Sequence, residues 1–367
     1  MKSLSPKLYV VFAACSLGSL GCGAAVPGEN VDQVQEKATI AGWTDLVNMN
    51  PTTNYTLTVN IDASGRTWTP KDYSAIFDGG NHTISNLTVS NGGFFRFLSN
   101  ATIKNIRFTN LRITGSSLGV LGALGAQATD TTVDNSAVEF NVNVSAIATG
   151  GFFGTMDGGS IHRSYAKGTL GGSSDNAGGF IGIASTGSFG GVSITESYAQ
   201  VTVNGQLTAG GLVASATSTD FHDVYAVGNV TGRNAVGGIV GNVNCDPNFG
   251  GFLLYKTIYR GNVVDLNKSG WAGAVGTFED CTGRMEQNFY DRSLDPSGTH
   301  ANHHSIQGFT TFELQSPTTV TGGVFCAPDV IPGRCGDNTW SSPPWTAGTS
   351  QQHHALLNMP GPNIQPR

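Results

Sequence analysis

Charge is scarce in this sequence. Only 12% of the 367 residues are Asp, Glu, Lys or Arg, about half the usual ~25%. So few charges exclude long solvated helices and coiled coils, which need Glu and Lys on their outer faces. The balance of 19 basic against 25 acidic residues, formally −6, sets nucleic acid aside as a partner, because no basic stripe exists to release counterions from a phosphate backbone. No apolar run is long enough for a membrane span. No CxxC pair marks a zinc site, and the HExxH, Walker and dinucleotide fingerprints are all missing. What is abundant is glycine, with 51 residues, roughly twice the usual share of ~7%. It lacks the strict three-residue period of collagen.

The N-terminus has the layout of an export signal. Lys2 and Lys7 precede an apolar stretch from Leu8 to Leu20, and no acid occurs before Glu29. Ser19-Leu20-Gly21-Cys22 then resembles a lipobox, with Ser19 at the position where such sites prefer Leu. Residues 1–21 are read as a lipoprotein signal peptide and Cys22 as the lipidated residue, followed by a flexible tether over 22–35. Acylation there would supply the two lipid signals that firm anchoring needs. The alternatives are ordinary cleavage near Ala24-Ala25 and lipidation of Cys15. Gly23 lacks the Asp associated with inner-membrane retention, so an outer-membrane or cell-surface location is expected.

The dominant internal signal is a repeat. Gly150-Gly151-Phe152-Phe153-Gly154, Gly178-Gly179-Phe180-Ile181-Gly182, Gly210-Gly211-Leu212-Val213-Ala214 and Gly237-Gly238-Ile239-Val240-Gly241 share one pattern. Weaker copies fall at Gly92-Gly93-Phe94-Phe95, Leu118-Gly119-Val120-Leu121-Gly122 and Ala272-Gly273-Ala274-Val275-Gly276. A second element keeps phase with the first: Ser164-Tyr165-Ala166, Ser197-Tyr198-Ala199, Val224-Tyr225-Ala226 and Ile258-Tyr259-Arg260. Around these tyrosines apolar and polar residues alternate, which means strands. Such short strands cannot bury their apolar face alone, but stacked coils can. The expected fold is a right-handed parallel β-helix of roughly 28–32-residue coils over residues 36–315. Low charge follows, because like charges stacked coil on coil repel.

The paired glycines followed by Ser-Tyr-Ala resemble the GLUG repeat of bacterial surface proteins, adhesin-like and haemagglutinin-like chains among them. Phe77-Asp78-Gly79-Gly80-Asn81-His82-Thr83-Ile84, Asn288-Phe289-Tyr290-Asp291 and Gly308-Phe309 through Leu314 are similar to further segments of such proteins. The resemblance implies a β-helix on a cell surface. It carries over no catalytic residue.

Both ends of the stack need covers. Ile40, Trp43 and Leu46 at helical spacing predict a short capping helix. Residues 316–367, rich in proline, predict an irregular tail in which Trp340 and Trp345, like Trp43, pack rather than stack on sugars. Cys245 and Cys281 follow Gly238 and Gly273 by seven and eight residues, which predicts an inter-coil disulfide. Cys326 and Cys335 would then pair in the tail.

Candidates for chemistry are sparse. Asp157, Asp220, Asp246, Glu279 and Asp280 follow the paired glycines at similar distances and could gather on one edge. Asp246, Glu279 and Asp280 are the candidate Ca²⁺ ligands, although Asp is also a common turn former. Lys256 and Arg260 sit elsewhere in the coil, where a lyase would need its base beside the acids. His300, His303, His304, His353 and His354 read as exposed loop residues rather than metal ligands. The function expected is binding or display along an extended face, without catalysis, toward polysaccharide or a surface protein. A polysaccharide lyase or hydrolase, or a passive spacer, is the alternative.

Overall fold

A computed structural model describes residues 37–267 apart from 115–118, 247 and 249–250, and beyond 267 only short strands. The fold is an all-β parallel helix in which strands pair with the coil before and the coil after. One row shows the stacking. Tyr55, Phe77, Ile103, Val133, Ile161, Ile194, Phe221, Leu254 and Met285 pair in succession, at steps of 22 to 33 residues. From Phe77 through Leu254 every member of this row is buried, so each coil adds one apolar side chain to a continuous core.

The Ser-Tyr-Ala element has a separate structural reason for each residue. The residue before it turns a corner in the left-handed region: Asn135 (φ 45°), Arg163 (φ 43°), Glu196 (φ 47°) and Asp223 (φ 52°). The buried serine then satisfies the corner. Ser164 Oγ donates to His162 O at 2.7 Å and accepts from Ser136 N at 3.1 Å. Ser197 Oγ does the same toward Thr195 O (2.7 Å) and Ser164 N (3.0 Å). The tyrosines pair in register and stack face to face, with Tyr165–Tyr198 centroids at 5.1 Å and Tyr198–Tyr225 at 4.7 Å. The alanine lies on the opposite strand face, in the interior.

That interior is pinched. A methyl added at Gly151, Gly179 or Gly211 would lie 2.9, 3.0 or 3.0 Å from Cβ of Ala166, Ala199 or Ala226. The second glycine of each pair and the alanine of the following element thus face each other across a coil too narrow for anything larger, which is why the two elements recur together. At Gly238 the opposing residue is Tyr259, whose ring fills the space a Cβ would need. Tyr259 pairs with Ala226, while Ile258 continues the tyrosine row. The sequence alignment, which placed Tyr259 with the other tyrosines, is therefore shifted by one residue. Gly122, not Gly119, pairs with Gly150. Gly273 pairs with Gly237 ahead of a register slip that restores Val240 opposite Val275.

The first coils hold an aromatic cluster. Trp68 stacks on Phe94 at 4.7 Å, and Phe94 also meets Phe95 at 4.7 Å and Phe108 at 4.8 Å. The Trp68 indole N–H donates to Phe94 O at 2.6 Å. The predicted helix is shorter than expected, Trp43–Val47. Ile40 belongs to the strand Ala38–Ile40, which pairs with Tyr55–Leu57, because a ladder partner outweighs helical spacing there. Trp43 packs edge-on against Trp68 at 5.9 Å. No helix among the described residues is long and apolar enough to cross a membrane.

Candidate binding face

Two corners define a narrow outer face in the coils of Val133, Ile161 and Phe221. One corner falls at Asp130 (φ 45°), Gly158 (φ 68°) and Ser218 (φ 45°), the other at Asn135, Arg163 and Asp223. Between them lie about four residues, roughly 13 Å of strand. Their inward members are Val133, Ile161, Ile194, Phe221 and Leu254, all buried. Their outward members form two rows, polar apart from Leu253. Thr132, Ser160, Ser193, Asp220 and Leu253 make one, and Asp134, His162, Thr195, His222 and Tyr255 make the other. At about 4.8 Å per coil the second row runs for roughly 19 Å.

A cluster of ion pairs gathers on the second row and its corner. His162 Nδ1 lies 2.9 Å from an Asp134 carboxylate oxygen and Nε2 lies 3.2 Å from Glu196. Arg163 also reaches Asp134, at 3.5 Å. One coil past Glu196, His222 Nδ1 lies 2.6 Å from Asp223, and its ring meets Tyr255 at 4.7 Å. The Lys256 ammonium stands 5.1 Å from the Tyr255 ring centroid. Burial pushes the Asp223 carboxyl above the usual carboxylate range, and the adjacent Glu196 adds to this against the pull of His222 and Lys256. These side chains are held by one another, yet the imidazoles stay 36% and 41% exposed. The face is an open platform. A separate depression of ≈ 330 Å³ lies on another side of the coil, against Lys167, Gln200, Val201 and Val227.

No family model matches the chain, and no curated protein does. It is similar to a solved structure named a "putative immunoglobulin A1 protease", from Bacteroides ovatus. Identity is 18% over 71% of this chain and 76% of that one, with a TM-score of 0.46. It is also similar to a chain named IgA1 Protease, with 17% identity over 74% of this chain and 24% of that one and a TM-score of 0.42.

The acids singled out in the sequence do not converge. Asp157 pairs with Thr129 and Ser185, ahead of the first corner. Asp246 N–H donates to Ser218 Oγ at 2.9 Å at that corner, and Asp220 lies beyond it on the face. Glu279 and Asp280 lie outside the described residues, and among those described no group of three His, Cys, Asp or Glu side chains is placed to hold a metal ion. Lys256 takes the second corner (φ 51°), while Arg260 pairs with Val227 on another row. Cys245 is disulfide-bonded. Cys281 and Cys335 lie outside the described residues, as do Cys15, Cys22 and the five loop histidines. Cys326 ends the strand Phe325–Cys326, paired with Trp340–Ser341, and Trp345 begins another short strand.

Sequence reading missed His162 and His222. The available signal was their place in the repeat. Each stands three residues before a tyrosine of the stack, where Thr195 stands in the intervening coil.

Proposed function

We propose that this chain is an exported, lipid-anchored envelope protein whose outer face binds a carbohydrate polymer along the stack. The observation that carries this is the outward row Asp134, His162, Thr195, His222, Tyr255. It repeats a hydrogen-bonding side chain once per coil, beside a second row of Thr132, Ser160, Ser193 and Asp220. A linear ligand with regularly spaced hydroxyls matches such a ladder, and mutual hydrogen bonds hold the ladder in place before the ligand arrives. Purified full chain titrated against immobilised polysaccharides should bind at least one. His162→Ala combined with His222→Ala should weaken that binding at least tenfold, because each imidazole contributes a hydrogen bond worth about 1 kcal/mol. Unchanged binding by the double variant removes the face from the proposal.

A proton-transfer reading draws on the pair His222–Asp223 beside Tyr255. Shortening of polysaccharide chains in the same panel would favour it. A passive spacer would bind nothing.

The proposal takes the repeats as GLUG-like, on the elements quoted above. It takes the coil as right-handed, as parallel crossovers are in about 98% of cases, and the helix Trp43–Val47 as cover for the first coil. A left-handed path in an experimental density map would overturn that part. Lipidation at Cys22 rests on the lipobox-like stretch. Palmitate should label the wild type and not Cys22→Ala, and equal labelling of both would overturn the anchor.

A further inference from the structure

One coil is longer than its neighbours at a single place. Asp157 pairs with Ser185, a step of 28, whereas Gly159 pairs with Val192, a step of 33. In the next coil the excess disappears again: Ile183 pairs with Ser215 and Ser193 with Asp220, steps of 32 and 27. The extra segment, 186–190, therefore stands out of the stack at the corner that opens onto the binding face. It forms a tight turn closed by Gly187 N–H to Gly190 O at 2.8 Å, with Ser188 and Phe189 at its tip.

The turn is fixed at its base. Ser185 Oγ donates to Asp157 at the point where the segment leaves the stack. Ser188 N–H donates to Asp130 Oδ2 at 3.3 Å, two coils earlier. It passes over Gly158, where a Cβ would come within 2.6 Å of Asp130 Oδ1 and 2.9 Å of Gly187 Cα. Gly158 (φ 68°) thus gives the turn its seat. At the tip, Phe189 is 87% exposed. A turn tip is served by Gly, Asn or Ser. Nothing in this one requires an aromatic ring, and a phenylalanine left in water forgoes all the free energy of its burial.

We infer that Phe189 is a stacking platform for one sugar ring of the polymer lying on the adjacent face. This rests on the binding proposal above. The electron-rich face of an aromatic ring attracts the C–H face of a pyranose, and the sugar's hydroxyls at its edge meet the neighbouring row of Thr132, Ser160 and Ser193. The turn fixes the backbone that carries the ring, so binding has only the two side-chain torsions of Phe189 to immobilise. The ligand class is a neutral carbohydrate. The carboxyl groups of Asp134, Glu196, Asp220 and Asp223 outnumber the cations Arg163 and Lys256 on the face and its corner, which disfavours a polyanion.

The test uses the full chain against immobilised cellulose, xylan, mannan and starch. Phe189→Ala, and deletion of 186–190, should weaken binding about tenfold, while Phe189→Tyr keeps it. Melting temperature should not change in Phe189→Ala, because the ring touches nothing that folding needs. If the wild type binds and Phe189→Ala binds equally well, the inference fails and the binding proposal stands. If the wild type binds none of the four, the inference fails, and the binding proposal fails with it for neutral polymers. If Phe189→Ala instead abolishes self-association in sedimentation velocity and leaves glycan affinity intact, the ring docks on a second copy of the chain and the inference is overturned.

Discussion

Gly211→Ala should destabilise the stack by about 3 kcal/mol, the upper end of the usual cost of overpacking an interior. The new Cβ would point into the pinched interior. It would lie 3.0 Å from Cβ of Ala226 and would run into the carbonyl oxygen of Gly238 in the next coil. A flexible side chain could move aside, but a carbonyl fixed in the coil-to-coil ladder cannot. Relief requires neighbouring coils to separate, and that breaks hydrogen bonds such as Leu212 N–H to Ile239 O at 2.9 Å. Thermal melting should show a loss of roughly 6 °C or more. Gly42→Ala is the control, since nothing lies within 4 Å of that position, and it should melt with the wild type. The double change Gly211→Ala with Ala226→Gly should recover little, because the backbone is the obstacle. Recovery to wild-type stability, or a single variant within about 1 °C of it, would show that the coils are not pinched there.

Phe94→Ala should cost about 3–5 kcal/mol, the range for emptying a buried aromatic site. Phe94 is fully buried, and its ring contacts Trp68, Phe77, Phe95 and Phe108, at centroid distances of 4.7, 5.9, 4.7 and 4.8 Å. Four rings depend on it, so the cavity cannot close by moving one of them. Stability in a stack is close to a sum of each coil and its interfaces with the next, so the damage should stay local. Limited proteolysis should cut the variant within the first coils while the later ones resist, and near-ultraviolet dichroism should lose part of its aromatic signal. Phe97→Ala, at a ring 37% exposed, should have a small effect. Equal proteolytic resistance in Phe94→Ala and wild type would contradict the cluster's role.

The two effects share a cause that explains how much of the molecule was legible in advance. Glycine pairs and Ser-Tyr-Ala elements recur because they face each other across the coil, so their common period revealed the stack before any pairing was known. Their registration was less legible. Tyr259 reads as a member of the tyrosine row, yet it lies opposite Gly238 in the alanine row, where the missing Cβ leaves room for its ring. Gly119 reads as a repeat glycine, and Gly122 holds the place. Which residue meets which is set by corners and by one-residue slips between coils, and a single strand shows neither.

The binding face was hidden for the same reason. His162 and Asp134 are 28 residues apart in the chain, as are Asp130 and Gly158, and nothing local links them. The added length at 186–190 registers in sequence only as an uneven step between Tyr165 and Tyr198. By itself the sequence determined the all-β stack, its repeat, and the small residues of its interior, because these depend on alternation and period. Only the tertiary structure decided which polar side chains share an outer face and where Phe189 stands. Parallel pairing joins residues about thirty positions apart, and the lengths of the turns between them set the register.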